Sequence, residues 1–161
     1  MSLVLRLVLI SASWVAIEIG SGFLVHHFPS GWFGRDRWLT RERGWERGGR
    51  IYQRLFGVRN WKDRLPEAGD WFAGGMRKRL QASHAREQLA ALIEETRRAE
   101  ITHWLPFPLS FTFFLWNPQN IAVWMPLVAL LGNAPFIMVQ RYNRPRLAQA
   151  LERRRRTRPG G

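Results

Sequence analysis

Glu94-Glu95-Thr96-Arg97-Arg98-Ala99-Glu100-Ile101-Thr102-His103-Trp104 gathers three acids, two arginines and a histidine directly ahead of a long apolar run. A helix places residues three and four apart on one face, so Glu100 neighbours His103 and Glu95 neighbours Arg98. Two chemistries fit this spacing. In one, an interfacial helix pairs its charges with each other and with lipid headgroups. In the other, a carboxylate–imidazole pair is held at a bilayer surface for proton transfer, imidazole titrating near neutrality.

Hydropathy indicates the elements that must position this stretch. Residues 3–28 form a first apolar segment, interrupted by Arg6, Glu18 and small or hydroxyl residues. As a helix these 26 residues reach ~39 Å, enough for a ~30 Å hydrocarbon core with tilt. A cleaved signal peptide is the competing reading. The length of the apolar stretch and the missing A-x-A-like site favour an uncleaved anchor. Glu18 falls near mid-membrane, where a charge costs ~2.5–3.5 kcal/mol, so it reads as inward-facing, paired or protonated. His26 and His27 read as interfacial.

Residues 35–100 are polar, with 16 Lys/Arg against 10 Asp/Glu, and aromatics run through them: Trp38, Trp45, Tyr52, Phe56, Trp61, Trp71 and Phe72. Gly48-Gly49, Gly57, Pro66 and Gly74-Gly75 cut the region into short pieces. Ile51-Tyr52-x-x-Leu55-Phe56 has helical spacing, residues 61–66 read as a turn, and residues 76–100 carry the longest helical pattern. Such a basic, aromatic, amphipathic region lies on a membrane surface. It could also bind an anionic ligand such as the phosphates of coenzyme A.

A hydrophobic hairpin over residues 104–140 follows. Its first arm, residues 104–116, covers only ~20 Å as helix. Either residues down from Glu100 enter the membrane edge, or the arm is shallow and partly re-entrant. Residues 117–120 form the turn. Residues 121–139 reach ~28 Å and can span, with Pro126, Gly132 and Pro135 expected to kink or break the helix. A hairpin returns to the face where it began, so Trp104 and Gln140 should share one surface. Residues 141–161 are a basic tail, 8 Lys/Arg against one acid, read as headgroup-binding and mostly disordered around Arg153-Arg154-Arg155-Arg156. The positive-inside rule places both basic regions in the cytoplasm, with the N-terminus outside and three membrane segments. The expected fold is therefore mainly α, a small multi-pass cell-membrane protein built as one domain.

Composition excludes several classes. The formal charge of +13 suits nucleic acid, an anionic membrane or an anionic ligand. The apolar runs at the two ends and nine tryptophans, a residue favoured at membrane interfaces, turn the choice from nucleic acid towards the lipid bilayer. The absence of cysteine removes disulfides, thiolate metal sites and a cysteine acyl-enzyme. G-x-S-x-G, P-loop, G-x-G-x-x-G and H-E-x-x-H patterns are missing. Glu100-x-x-His103 is half of a di-iron pattern that needs a second copy and further carboxylates, so no metal and no bound cofactor are expected.

Two motifs point further. Glu-Thr-basic-Arg-Ala-Glu-x-x-His-Trp, here residues 95–104, resembles the core of the glycosyl-4,4'-diaponeurosporenoate acyltransferases, small membrane proteins of staphyloxanthin-type carotenoid pathways. The run from Asn133-Ala134-Pro135 to Gln140-Arg141-Tyr142-Asn143-Arg144-Pro145-Arg146-Leu147 is similar to a second region of that family, and Trp61-Lys62 matches a tryptophan–lysine pair. The order of features agrees over nearly the whole chain. Residues 70–88 do not align.

The resemblance implies transfer of a fatty acyl group, from an acyl-CoA-type co-substrate, to a sugar hydroxyl of a glycosylated carotenoid or related glycolipid. Residues and resemblance together suggest His103 as general base, Glu100 as its orienting partner and Asn143 as oxyanion donor. Arg98, Arg141 and Arg144 are candidates for donor phosphates, and Lys62, Trp104 and Tyr142 for further substrate contacts. The alternative is a non-catalytic lipid- or carotenoid-binding accessory protein. Contacts with pathway enzymes or with further copies of the chain fit either reading.

Overall fold

Ser2 caps the first helix, its Oγ accepting from the Leu5 N–H at 3.3 Å. Helix α1 then runs over Leu3–His26, as the apolar stretch predicts. The structure is a computed structural model that describes residues 2–65 and 85–156. Among those residues it is helical, with no strand. After α1 come single 3₁₀ turns at Ser30–Phe33 and Gly44–Glu46, helix α2 (Arg50–Phe56), and 3₁₀ turns at Val58–Asn60 and Lys62–Arg64. Helix α3 covers Ala85–Trp104, α4 Pro106–Leu109, α5 Gln119–Ala122 and α6 Met125–Arg156. Trp71, Phe72, Pro66, Gly74-Gly75 and the start of the 76–100 pattern lie outside the described residues.

The structure refines the hairpin in both arms. Its first arm is not one helix: α3 carries Glu100 and His103 to its end at Trp104, and α4 and a 3₁₀ stretch, Ser110–Leu115, follow. Pro106 and Pro108 supply no N–H to continue the α3 ladder. The second arm is interrupted once, at residues 123 and 124 between α5 and α6, just before Pro126 and as expected there, whereas Gly132 and Pro135 do not interrupt it. Pro126 occupies the second position of α6, where an N–H would lack a helical partner anyway. Pro135 and Pro145 lie inside the helix, which continues beyond both. Its 32 residues give a rod ~48 Å long. The tail follows suit, since Arg153 to Arg156 form the last turn of α6 rather than a disordered end.

Helices α3 and α6 pack antiparallel, because bonds join Arg86 to Arg154, Thr96 to Arg144, Glu100 to Arg141 and His103 to Asn133. Trp104 and Gln140 thus lie at the same end, as the hairpin argument requires. Helix α1 lies across this pair. Its buried Val25 joins Phe33 and Ile101 in one apolar cluster, and Trp14 packs on Phe113 with ring centroids 5.1 Å apart. A second cluster, Tyr52, Val58 and Tyr142, fixes α2 to α6. Arg97 ties the segment after α1 to α3, donating to Asp36 at 2.8 Å and to the Phe33 carbonyl at 3.1 Å.

Left-handed backbone at Arg47, Gly48 and Gly49 turns the chain into α2. Gly49 is required there. A Cβ would come within 2.9 Å of the Arg141 carbonyl oxygen and 3.1 Å of Tyr142 Cα. Pro145 has no N–H to offer that Arg141 carbonyl, so the polar loop closes where α6 is short of a donor.

Among the described residues two helical runs are long and apolar enough to cross a membrane, α1 and Gln119–Arg156. Large apolar side chains stand exposed along both, among them Leu3, Val8, Val15, Ile19 and Phe23 on the first and Trp124, Val128 and Leu131 on the second. Contiguous apolar surface on this scale marks contact with lipid or protein.

Candidate active site

Thr96, Glu100 and His103 repeat at spacings of four and three, one face of α3. Asn133, Ile137, Arg141 and Arg144 do the same on α6. Where these faces meet, the polar residues divide into two groups.

The first group is closed. Glu100 is fully buried and Glu46 almost so. Arg141 donates from Nε to Glu100 Oε1 at 2.7 Å, from Nη1 to Glu46 Oε1 at 2.5 Å and from Nη2 to the Leu39 carbonyl. Arg144 donates from Nε to Thr96 Oγ1 at 2.9 Å, from Nη1 to the Thr40 carbonyl at 2.5 Å, and from Nη2 to the Thr96 carbonyl at 3.1 Å and to Glu100 Oε2. Trp104 Nε1–H donates to Glu100 Oε1 at 3.3 Å. Tyr52 Oη donates to Glu46 Oε2 at 3.0 Å, and the Arg43 N–H to Glu46 Oε1 at 2.9 Å. Burial, with Glu46 beside it, pushes the Tyr52 phenol far above its ordinary value, so it stays a donor. Two carboxylates and two guanidiniums balance, as burial of charge demands.

The second group is a chain. His103 Nδ1 lies 2.8 Å from Asn133 Oδ1. The Asn133 amide nitrogen donates to the Ala129 carbonyl and to Glu18 Oε1, both at 3.0 Å. A backbone carbonyl can only accept, so the amide nitrogen must face Ala129 and its oxygen must face His103. Nδ1 therefore carries the proton, and Nε2 carries the lone pair. Among the described residues Nε2 makes no hydrogen bond. The imidazole stacks on Phe136 at 4.4 Å. On α3, outside both candidate spans, it is held below its ordinary pKa by burial, which outweighs the opposing Asn133 bond and Glu18 charge.

This arrangement corrects one expected pairing. Glu100 does not orient His103, because both its oxygens are taken by Arg141, Arg144 and Trp104; Asn133 orients it instead. Asn143 is half-buried, about 100° around α6 from Arg144, and makes no hydrogen bond with either group. Tyr142 is core, packed with Tyr52 and Val58 beneath the Arg146 guanidinium, 3.5 Å from its ring centroid. Arg141 and Arg144 keep only 10% and 9% of their side chains exposed, and their donors are committed. Arg98 and Lys62 keep 27% and 25%. Arg98 lies over Phe33 at 5.0 Å and meets Glu95 at 3.8 Å, the neighbour that helical spacing predicts. Lys62 pairs with Asp63 at 2.5 Å.

Sequence reasoning did not single out Glu46 or Tyr52, and it placed Asn133 only at the start of a motif. Asn133 does carry a signal: an amide inside an apolar span needs a partner. Glu46 carries none, being one of 10 acids in its region. Glu18 is paired with Asn133, one of the outcomes expected of it, but it is exposed rather than inward-facing.

The model of a family described as glycosyl-4,4'-diaponeurosporenoate acyltransferase matches residues 35–153. A protein of that name from Staphylococcus haemolyticus is 31% identical over 137 residues, covering 85% of this chain and 80% of its own. One from Staphylococcus aureus strain USA300 is 28% identical over 141 residues, covering 88% and 85%. No solved structure matches the chain. The matched stretch contains Glu46, Glu100, His103, Asn133, Arg141 and Arg144.

Proposed function

The chain belongs to the glycosyl-4,4'-diaponeurosporenoate acyltransferase family, and from that premise we propose that it esterifies a sugar hydroxyl of a glycosylated carotenoid, or of a related glycolipid, using a fatty acyl-CoA-type donor. It is an enzyme that transfers acyl groups. The observation that carries the fuller reading is the His103 imidazole, fixed by Asn133 with its Nε2 lone pair free. A neutral imidazole in that tautomer is a general base at neutral pH.

In this reading His103 Nε2 takes the proton of the acceptor hydroxyl as its oxygen attacks the thioester carbonyl. The tetrahedral intermediate then expels the thiolate, the imidazolium returns the proton to sulfur, and ester and free thiol leave. Asn133 does the orienting work. The Glu46–Glu100–Arg141–Arg144 cluster is architectural, clamping the two helices that hold the base and its partner. Arg98 and Lys62 are the cations of this set left with enough exposure to meet donor phosphates. Asn143 remains a candidate only for a contact made when substrate arrives.

The setting is a cell membrane, with α1, the hairpin's first arm (residues 104–116) and the apolar part of α6 in lipid. Residues 35–100 and 141–161 lie in the cytoplasm by their excess of positive charge. Reporters at Ala82, outside the described residues, and after Gly161 should both read as cytoplasmic; an outside signal from either overturns this orientation.

The direct test of function offers purified protein labelled acyl-CoA and a panel of glycosylated terpenoids. A labelled sugar ester is the expected product. Label appearing only as free fatty acid, with every acceptor recovered intact, would refute the reading.

A further inference from the structure

Glu18 has no part in the acyl-transfer step above, and it precedes the stretch, residues 35–153, that the family model matches. It lies on the packing stripe of α1, four residues after Trp14, which meets Phe113, and three before the buried Ser21, with Val25 buried one turn further on. Glu18 itself is exposed. Val15 and Ile19 are exposed beside it, and Leu130 is exposed one turn before Asn133 on α6. An exposed acid among exposed apolar side chains is costly at membrane depth unless a polar group meets it. Among the described residues it has one hydrogen bond, Oε1 accepting from Asn133 Nδ2 at 3.0 Å. The other oxygen, Oε2, is left over. Through that single amide, Glu18 and His103 are held beside each other at one seam.

We propose that Glu18 binds the acceptor: Oε2 receives a hydroxyl of a glycosylated amphiphile that enters sideways, from the lipid, at the seam between α1 and α6. A carboxyl oxygen is an acceptor, which suits a hydroxyl-bearing ligand. A sugar has several hydroxyls on one ring, so one can meet Glu18 while another faces His103 Nε2. The tail then lies along Val15, Ile19 and Leu130. Lateral entry explains why an acid on the stripe of α1 that otherwise packs is left exposed. The proposal rests on the acyl-transfer reading of His103, and it assigns the hydroxyl-recognition site that the reading lacks.

The test uses the full chain in nanodiscs, with dodecyl β-glucoside as acceptor probe and dodecanol as its sugarless control. Glu18→Gln keeps an oxygen for the Asn133 amide, so His103 stays held, whereas Glu18→Ala removes it. Binding of each probe is measured without donor, and KM values for glucoside and acyl-CoA are measured with it. Glu18→Ala should weaken glucoside binding and raise its KM about tenfold or more, the scale of one lost hydrogen bond to a polar ligand. Dodecanol binding and the KM for acyl-CoA should stay the same. Glu18→Gln should fall between the two proteins.

Equal glucoside binding in all three proteins overturns the proposal. So does a change in oligomeric state on substitution with glucoside binding unaltered, which makes Glu18 a contact between copies. If wild-type protein binds glucoside through Glu18 but transfers no acyl group, the functional reading fails and this site stands. If Glu18→Ala transfers acyl groups at an unchanged glucoside KM, this site fails and the functional reading stands.

Discussion

Glu100 and His103 lie one turn apart on α3 and meet the same partner helix, yet one is fully buried with both oxygens engaged and the other keeps a ring nitrogen without a partner among the described residues. Around Glu100 both carboxylate oxygens are occupied, and the two arginines that hold it are filled by Glu46, Thr96 and the carbonyls of Leu39 and Thr40. At His103 one ring nitrogen is anchored and the other is free. A buried group whose polar atoms are all engaged supports a fold, and a group with one atom left over can act on something that arrives. The family motif contains both, so sequence similarity alone does not separate clamp from chemistry.

Substitutions can break or sharpen that distinction. The largest effect should come from the closed group. Arg144→Ala leaves Glu100 buried without one of its two arginines, a change that costs ~3–5 kcal/mol in comparable buried pairs. The expected outcome is a steep loss of folded, extractable protein and a lowered Tm in detergent. Normal yield and an unchanged Tm would mean that the cluster is not a clamp.

His103→Gln should do the reverse, leaving Tm close to wild type and cutting kcat ~10²-fold or more, the usual scale for a lost general base. A well-inserted His103→Gln protein with full activity would move the chemistry elsewhere.

Asn133→Ala sits between the two. It should lower kcat about tenfold, the size of one net hydrogen bond, with less effect on the KM for acyl-CoA. Its sharper readout is pH. The base works in its neutral form, and burial lowers the pKa of His103, so the acid limb of kcat/KM in wild type should lie below pH 6.5. The Asn133 bond opposes that lowering, so its removal should carry the limb to lower pH still. A limb that does not move would assign the titration to another group. Smallest of all, Arg98→Ala should raise the KM for acyl-CoA about threefold, the scale of one exposed charge, without touching Tm.

The parts of this molecule legible in the sequence are those set by local pattern. The apolar run of α1, the helical spacing of Ile51 to Phe56, the Glu95–Arg98 neighbours and the return of the hairpin from Trp104 to Gln140 all follow from periodicity and length. The ionic cluster was not legible: spacing gave Glu100 to His103, and the arginines were expected to meet donor phosphates. Glu46 reaches the cluster only because three successive residues, Arg47 to Gly49, take left-handed backbone and fold the loop against α6. Glu100 beside His103 satisfied the spacing rule, but two guanidiniums outcompete an imidazole for a buried carboxylate. The continuity of α6 through Pro135 and Pro145 was missed because intrinsic propensity was weighed without the long packing face that α3 supplies.

The clamp also fixes an order of events during synthesis. Glu46 waits for an arginine 95 residues further along the chain, which at ~5–20 residues per second takes roughly 5–20 s. Through that interval the segment destined to cover α6 has neither its ionic partner nor the surface it docks on. The nascent chain therefore emerges with α6 as the organiser: residues 39–46 have nowhere to dock until α6 is made, and synthesis cut short before Arg141 leaves Glu46 without its ionic partner.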